Sequence, residues 1–174
     1  LGKSFLTAIS PWVVTMEALA PFRVPGRGRT GDDPALPGYL DDPFDRELGG
    51  LDIELTAELD TGNGPHTIVR TNVAELFWTL AQMVAHQGSG GAPLETGDLI
   101  ATGTVSAAAD EARACLVEIT KLGKEPLTLP DGTQRVMLED GDTLTLRGRA
   151  KAEGYVPIGF GPCSGTIMPA RVAA

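Results

Sequence analysis

Three places in these 174 residues carry side chains that packing alone does not readily explain. Gly2-Lys3-Ser4-Phe5 sets a single cation in an apolar, strand-like context, where a lysine is expensive unless paired or functional. Glu118 is the sole charge within Ala114-Cys-Leu-Val-Glu-Ile119, and a carboxylate so placed calls for a partner, such as a base that it orients. Thr102-Gly103-Thr104-Val105-Ser106 is a glycine-centred turn able to offer N–H and hydroxyl donors to an oxygen-rich ligand. Taken singly, each also has a plain structural explanation: a snorkelling lysine, a strand-face glutamate, a polar turn.

Other polar residues read as structure. Asp52 and Glu54 share the outward face of a strand and are suited to a hard cation, yet a wet strand face carries charges in any case. His66 falls in a hairpin strand, and His86 falls at a helix end, where the helix dipole favours a cation. Cys163 has no basic neighbour in Gly161-Pro-Cys-Ser-Gly165 and reads as an inert thiol. Arg23, Arg27 and Arg29 suggest an anion site, but Asp32, Asp33, Asp41 and Asp42 follow at once, which favours a solvated loop. No phosphate-binding glycine loop, paired CxxC or HExxH is present, and no GxSxG elbow marks a catalytic serine.

The elements that must position these residues are mostly strands. Residues 4–14 are β-branched and aromatic, predicting strands interrupted at Pro11, and Met16 begins a possible helical turn. Five prolines and several glycines make residues 21–50 a long loop. Leu51, Ile53, Leu55, Ala57 and Leu59 alternate with polar residues, and Thr61-Gly-Asn-Gly64 leads into a second strand over 66–70, predicting a hairpin. One helix is predicted over 73–86. Its signals are a capping-box spacing from Asn72 to Glu75, an apolar stripe from Val73 to Val84 and a stop at Gly88. Strands are predicted over 98–105, 114–121, 135–138, 143–149 and 158–168, with the turn Glu139-Asp-Gly-Asp142 closing a hairpin.

Composition bounds the answer. Twenty-two glycines and 13 prolines without a repeat period point to short strands and turns rather than a helix bundle. With 14 basic against 23 acidic residues the net charge is −9, which repels a phosphate backbone and excludes nucleic acid as an expected partner. No apolar run approaches the roughly 20 residues that span a bilayer, so no membrane partner is expected. Two cysteines suit a reduced, cytoplasmic chain. The expected architecture is mostly β, a mixed β-sandwich roll with one flanking helix.

Several segments together resemble a known family. Leu1-Gly-Lys-Ser-Phe5, Ile9-Ser-Pro-Trp-Val-Val14, Gly97-Asp-Leu-Ile-Ala-Thr-Gly-Thr104, Asp140-Gly-Asp142 and Gly159-Phe-Gly161 resemble, in order and spacing, the C-terminal half of the fumarylacetoacetate hydrolase superfamily. The Ile9–Val14 element and the proline-rich loop after it are closest to the fumarylacetoacetase branch. The resemblance implies a β-roll enzyme, a homodimer, in which Mg or Ca holds a 1,3-diketo acid. Water then cleaves a carbon–carbon bond, releasing fumarate and acetoacetate in the last step of tyrosine and phenylalanine breakdown.

By the same resemblance, Lys3 contributes to the metal site and to stabilising negative charge, and Thr7 lies near the metal. Gly103 and Thr104 contact substrate. Glu118, fourteen residues beyond Thr104, orients the catalytic histidine. Leu6 stands where the family has glycine. The family's catalytic histidine, its acidic metal ligands and its oxyanion arginine all precede the lysine motif, and neither His66 nor the pair Asp52 and Glu54 aligns with them. The chain, opening at Leu1 without a methionine, is therefore expected to be an N-terminally truncated C-terminal portion of a catalytic domain, holding half an active site. The alternatives are an acylpyruvase or diacid decarboxylase of the same superfamily, or a non-catalytic β-rich binding or dimerisation module.

Overall fold

A computed structural model describes residues 6–170. Its elements in chain order are β1 (Arg23–Val24), α1 (Pro43–Leu48), β2 (Gly50–Leu51), β3 (Ile53–Asp60), β4 (Pro65–Asn72), α2 (Leu80–Ser89), α3 (Leu116–Ile119), β5 (Leu127–Thr128), β6 (Gln134–Arg135), β7 (Thr143–Ala150), β8 (Ile158–Gly159) and β9 (Cys163–Thr166). The fold is mostly β, and every pairing is antiparallel.

The central sheet runs β4-β3-β7, with β8 and β9 sharing the far edge of β7. The predicted alternation explains its middle: Ile53, Ala57 and Leu59 are buried on one face, continuing the row begun by Leu51. On the other face Glu54 pairs with Arg70 at 2.9 Å and Glu58 with Arg147 at 3.2 Å. The hairpin turn closes as expected, with Asp60 accepting from the N–H groups of Gly62 and Gly64, both at φ +101°. Those φ values admit glycine far more readily than other residues. A bulge between Ala57 and Glu58 shifts the register, so Leu59 faces His66 rather than Thr67. Leu19, Phe22, Leu51, Ile53 and Ala150 form the core, with Leu80, Ile158 and Phe160 packed against it.

Several expectations are corrected. Residues 6–14 form no strand. They run as coil held by side chains, with Ser10 Oγ donating to the Phe160 carbonyl at 2.7 Å. Residues 21–50 are less a loop than expected: β1 pairs with β2, and Asp42 caps α1 by accepting from Asp45 N. Arg27 and Arg29 lie over Phe77, at 5.6 and 5.0 Å from the ring centroid, and Arg29 also lies 5.4 Å from the Trp78 ring.

The predicted helix over 73–86 divides. Asn72 caps a single 3₁₀ turn by accepting from Ala74 N, and α2 starts seven residues later than expected. Thr79 and Gln82 supply the true capping box, each side chain accepting from the other's backbone N–H at 3.1 Å.

The segment 98–105 enters no ladder. Over 114–121 the chain is helical at α3, where a short apolar run satisfied either reading. The turn Glu139–Asp142 does not close a hairpin, because β6 belongs to a separate ribbon with β5 while β7 joins the central sheet. The turn instead carries the chain from one sheet to the other.

Candidate functional site

Gly103 sits at φ +73° with open space where a Cβ would point, so backbone conformation is what demands glycine there. It delivers Thr104 to the wall of a hollow of about 480 Å³. The floor of that hollow is the apolar face of the central sheet, including Leu55, Ala57, Val69 and Leu146, and Ser10 and Phe160 stand at its side. Thr71, buried in the same wall, has a hydroxyl without a hydrogen-bond partner. A hollow of this size, mostly apolar with a few hydroxyls, suits a small organic molecule.

Glu118 is exposed on α3 rather than on a strand face. Ser106, two residues past Thr104, donates to its Oε2 at 2.6 Å. The structure thus brings the glycine turn and the carboxylate together through one hydroxyl. Sequence reasoning noted the donors of the turn but not this partnership, because a strand over 114–121 would have held Glu118 by cross-strand neighbours. Thr7 lies exposed in coil and is not among the residues lining the hollow. Lys3 lies outside the described residues.

Most residues read as structural have structural partners, although His66 Nε2 is buried without a hydrogen bond and Cys163 lines the hollow. His66 Nε2 stands 3.8 Å from Asp131 Oδ2, and Asp131 accepts from Thr133 N at 2.9 Å and from Asn63 at 3.0 Å. The Thr133 N–H first, and Asn63 second, hold the Asp131 carboxyl below its ordinary pKa. This cluster ties the β3–β4 hairpin to the turn of the β5–β6 ribbon. His86 Nδ1 meets the Tyr39 hydroxyl at 3.0 Å. Asp52 accepts from Asn72 at 2.7 Å, and Glu54 holds Arg70.

A divalent-cation site asks for six or more oxygens, several of them carboxylates. Among the described residues no three of His, Cys, Asp or Glu gather to hold a metal ion. One neutral hydroxyl at Thr7 does not make a cage, so the described residues do not fit Mg or Ca. No helix among them is long and apolar enough to cross a membrane.

Fold and site together define a β-rich scaffold carrying a small-molecule hollow lined by apolar side chains, a few hydroxyls and Arg147, with Glu118 outside that lining and tied by Ser106 to the turn that reaches it. The family profile described as "Fumarylacetoacetate (FAA) hydrolase C-terminal" matches residues 1–168, and the chain belongs to that family. It is 44% identical over 170 residues to the fumarylacetoacetase of Aspergillus fumigatus, covering 97% of this chain and 38% of that protein. Against the fumarylacetoacetase of Arabidopsis thaliana the identity is 42%, covering 97% of this chain and 39% of that one. Against that of Homo sapiens it is 39%, with 98% and 39% covered. The chain spans about two fifths of the length of the curated relatives it matches.

Proposed function

We infer that the protein carrying this chain hydrolyses a carbon–carbon bond in a 1,3-diketo acid, fumarylacetoacetate, giving fumarate and acetoacetate. Its place is the end of tyrosine and phenylalanine breakdown in the cytoplasm, and it works as a homodimer with bound Mg or Ca. The observation that carries this reading is the identity to named fumarylacetoacetases along nearly the whole chain. The geometry is compatible with it: the turn at Gly103 and Thr104 opens on a hollow of substrate size, and Glu118 is joined to that turn through Ser106.

A bound divalent ion would supply Lewis-acid chemistry to this reaction. Its ligands are not among the described residues, and the division of labour follows from that. Thr104 supplies a hydroxyl to a substrate oxygen, and the apolar floor excludes water from the carbon chain. Glu118 accepts from the N–H of a histidine base, fixing its tautomer and orientation as it takes a proton from water. Lys3 adds positive charge where the tetrahedral oxyanion forms.

The test is an assay of the protein encoded by the full coding sequence, following loss of the diketone absorbance of fumarylacetoacetate. Hydrolysis is expected, with Glu118→Gln slower by about 100-fold or more. Chelation should abolish turnover, and added Mg or Ca should restore it. Turnover of acylpyruvates alone, or decarboxylation of a related diacid, moves the protein elsewhere in the superfamily. No turnover of any of these, with Lys3→Ala and Glu118→Gln indistinguishable from wild type in every assay, leaves a binding or dimerisation module.

A further inference from the structure

Glu118 stands on a helix of four residues, which is too short to fix a long, exposed side chain by its own packing. A hydrogen bond from another segment does that work. Ser106 Oγ donates to Glu118 Oε2 at 2.6 Å, and the same oxygen accepts the backbone N–H of Ala114 at 3.1 Å. With a backbone donor on its lone pair, and only lone pairs on the ionised carboxylate, the hydroxyl proton is directed toward Glu118. A hydrogen bond to an ionised acceptor is short and about twice as strong as a neutral one.

The serine is itself held in place. Val105 and Ala112 are buried on either side of the loop, and Ala107 N donates to the Ala112 carbonyl at 3.1 Å, closing it. Glu118 Oε1 takes no hydrogen bond among the described residues.

We propose that Ser106 is a positioning residue for the reaction. It pins Oε2 of Glu118 so that Oε1 faces outward to receive the N–H of the base, and it couples that carboxylate to the substrate-binding turn two residues earlier at Thr104. The inference rests on the reading of Glu118 as the base-orienting carboxylate. A hydroxyl that acts through another side chain, without touching substrate, should alter turnover and leave substrate binding alone.

The experiment compares Ser106→Ala, Ser106→Thr, Glu118→Gln and the Ser106→Ala/Glu118→Gln double variant in the full protein, recording kcat, KM and melting temperature for each. Ser106→Ala is expected to lower kcat by about ten- to hundredfold, the worth of one hydrogen bond to a charged group, with KM unchanged and the melting temperature modestly lowered by loss of the Ala114 N–H bond. Ser106→Thr, which keeps the hydroxyl, should recover most of the loss. The double variant should be no slower than Glu118→Gln alone.

Wild-type kcat in Ser106→Ala, beside a slow Glu118→Gln, overturns the positioning role and leaves the proposed function standing. So do losses that simply multiply in the double variant. Wild-type kcat in Glu118→Gln overturns the reading beneath, and this inference with it. Should Ser106→Ala fail to fold, Ser106→Cys keeps the bulk with a weak donor and must show the same loss of kcat at constant KM.

Discussion

A carboxylate removed almost wholly from water persists as an anion only where its charge is answered, and Asp142 is answered twice over. It is 1% exposed. Arg135 donates to both of its oxygens, from Nε at 2.8 Å and from Nη2 at 2.9 Å, and the N–H of Glu139 adds a third bond at 2.8 Å. The Arg135 hydrogen bonds hold the Asp142 carboxyl below its ordinary pKa, burial opposes them, and the Glu139 N–H reinforces them. Because the folded value is depressed, the stabilisation is fully present above the unfolded value of about 3.9 and is lost as pH falls through the folded one. Asp142→Asn should therefore destabilise the protein by about 2 kcal/mol at neutral pH, since it removes the charge that Arg135 grips with two hydrogen bonds and leaves that guanidinium only the Gln134 carbonyl and Glu139. The deficit should narrow in acid. Urea unfolding of both proteins at pH 7 and pH 3 measures this, and an equal deficit at the two pH values would contradict it.

Elements obey a different logic, in which two local patterns compete and a distant contact decides. Asn72 with Glu75 and Thr79 with Gln82 both have the spacing of a capping box. Only the second starts α2, because the Thr79 hydroxyl also donates to the buried carboxylate of Asp45 at 2.7 Å, tying α2 to α1. Thr79→Ala should cost about 2 kcal/mol or more. About 1 comes from the lost cap and the rest from leaving Asp45 with one partner fewer. Thr79→Ser should restore most of it, and thermal unfolding of the two variants separates cap from bulk.

The same competition explains what was legible in the sequence. The β3–β4 hairpin was readable because strict alternation and a Gly-Asn-Gly turn agree locally and no outside contact overrides them. The run from Ala114 to Lys121 was misread because four or five apolar residues fit a strand or a helical turn equally. Gly103, Thr104 and Glu118 stand out locally, as a glycine-centred donor turn and a lone charge in an apolar run, but each also fits a plain structural explanation, and their roles entered only through family resemblance. The Ser106–Glu118 bond spans twelve residues, and it appears only once α3 is known to be a helix.

At the scale of the whole molecule, surface area is the informative quantity. A compact protein of 18.2 kDa exposes about 8,100 Å², whereas this chain exposes 11935 Å². Large apolar side chains contribute to it: Val13 is 90% exposed, Val156 84%, and Leu6, Trp12 and Leu99 each about 70%. Burial is worth about 25 cal/mol per Å², so such a surface favours being covered. The net charge of −9 opposes self-association, but repulsion is screened beyond about 8 Å at physiological salt while apolar contact is not. Attraction should win. The isolated 174-residue chain is expected to bind a hydrophobic dye and to self-associate at 0.15 M salt, more strongly as salt rises. It should take up no Mg or Ca in a calorimetric titration and should not hydrolyse fumarylacetoacetate, because the described residues gather no acidic cage. The full protein should bind no dye, associate no further than its dimer, take up the metal ion and hydrolyse the substrate. A monomeric, dye-free isolated chain would show that the apolar surface is tolerated as it stands. A metal-dependent rate from the isolated chain would locate the cation ligands within these 174 residues and remove the division of labour on which Glu118, Thr104 and Lys3 were assigned their parts.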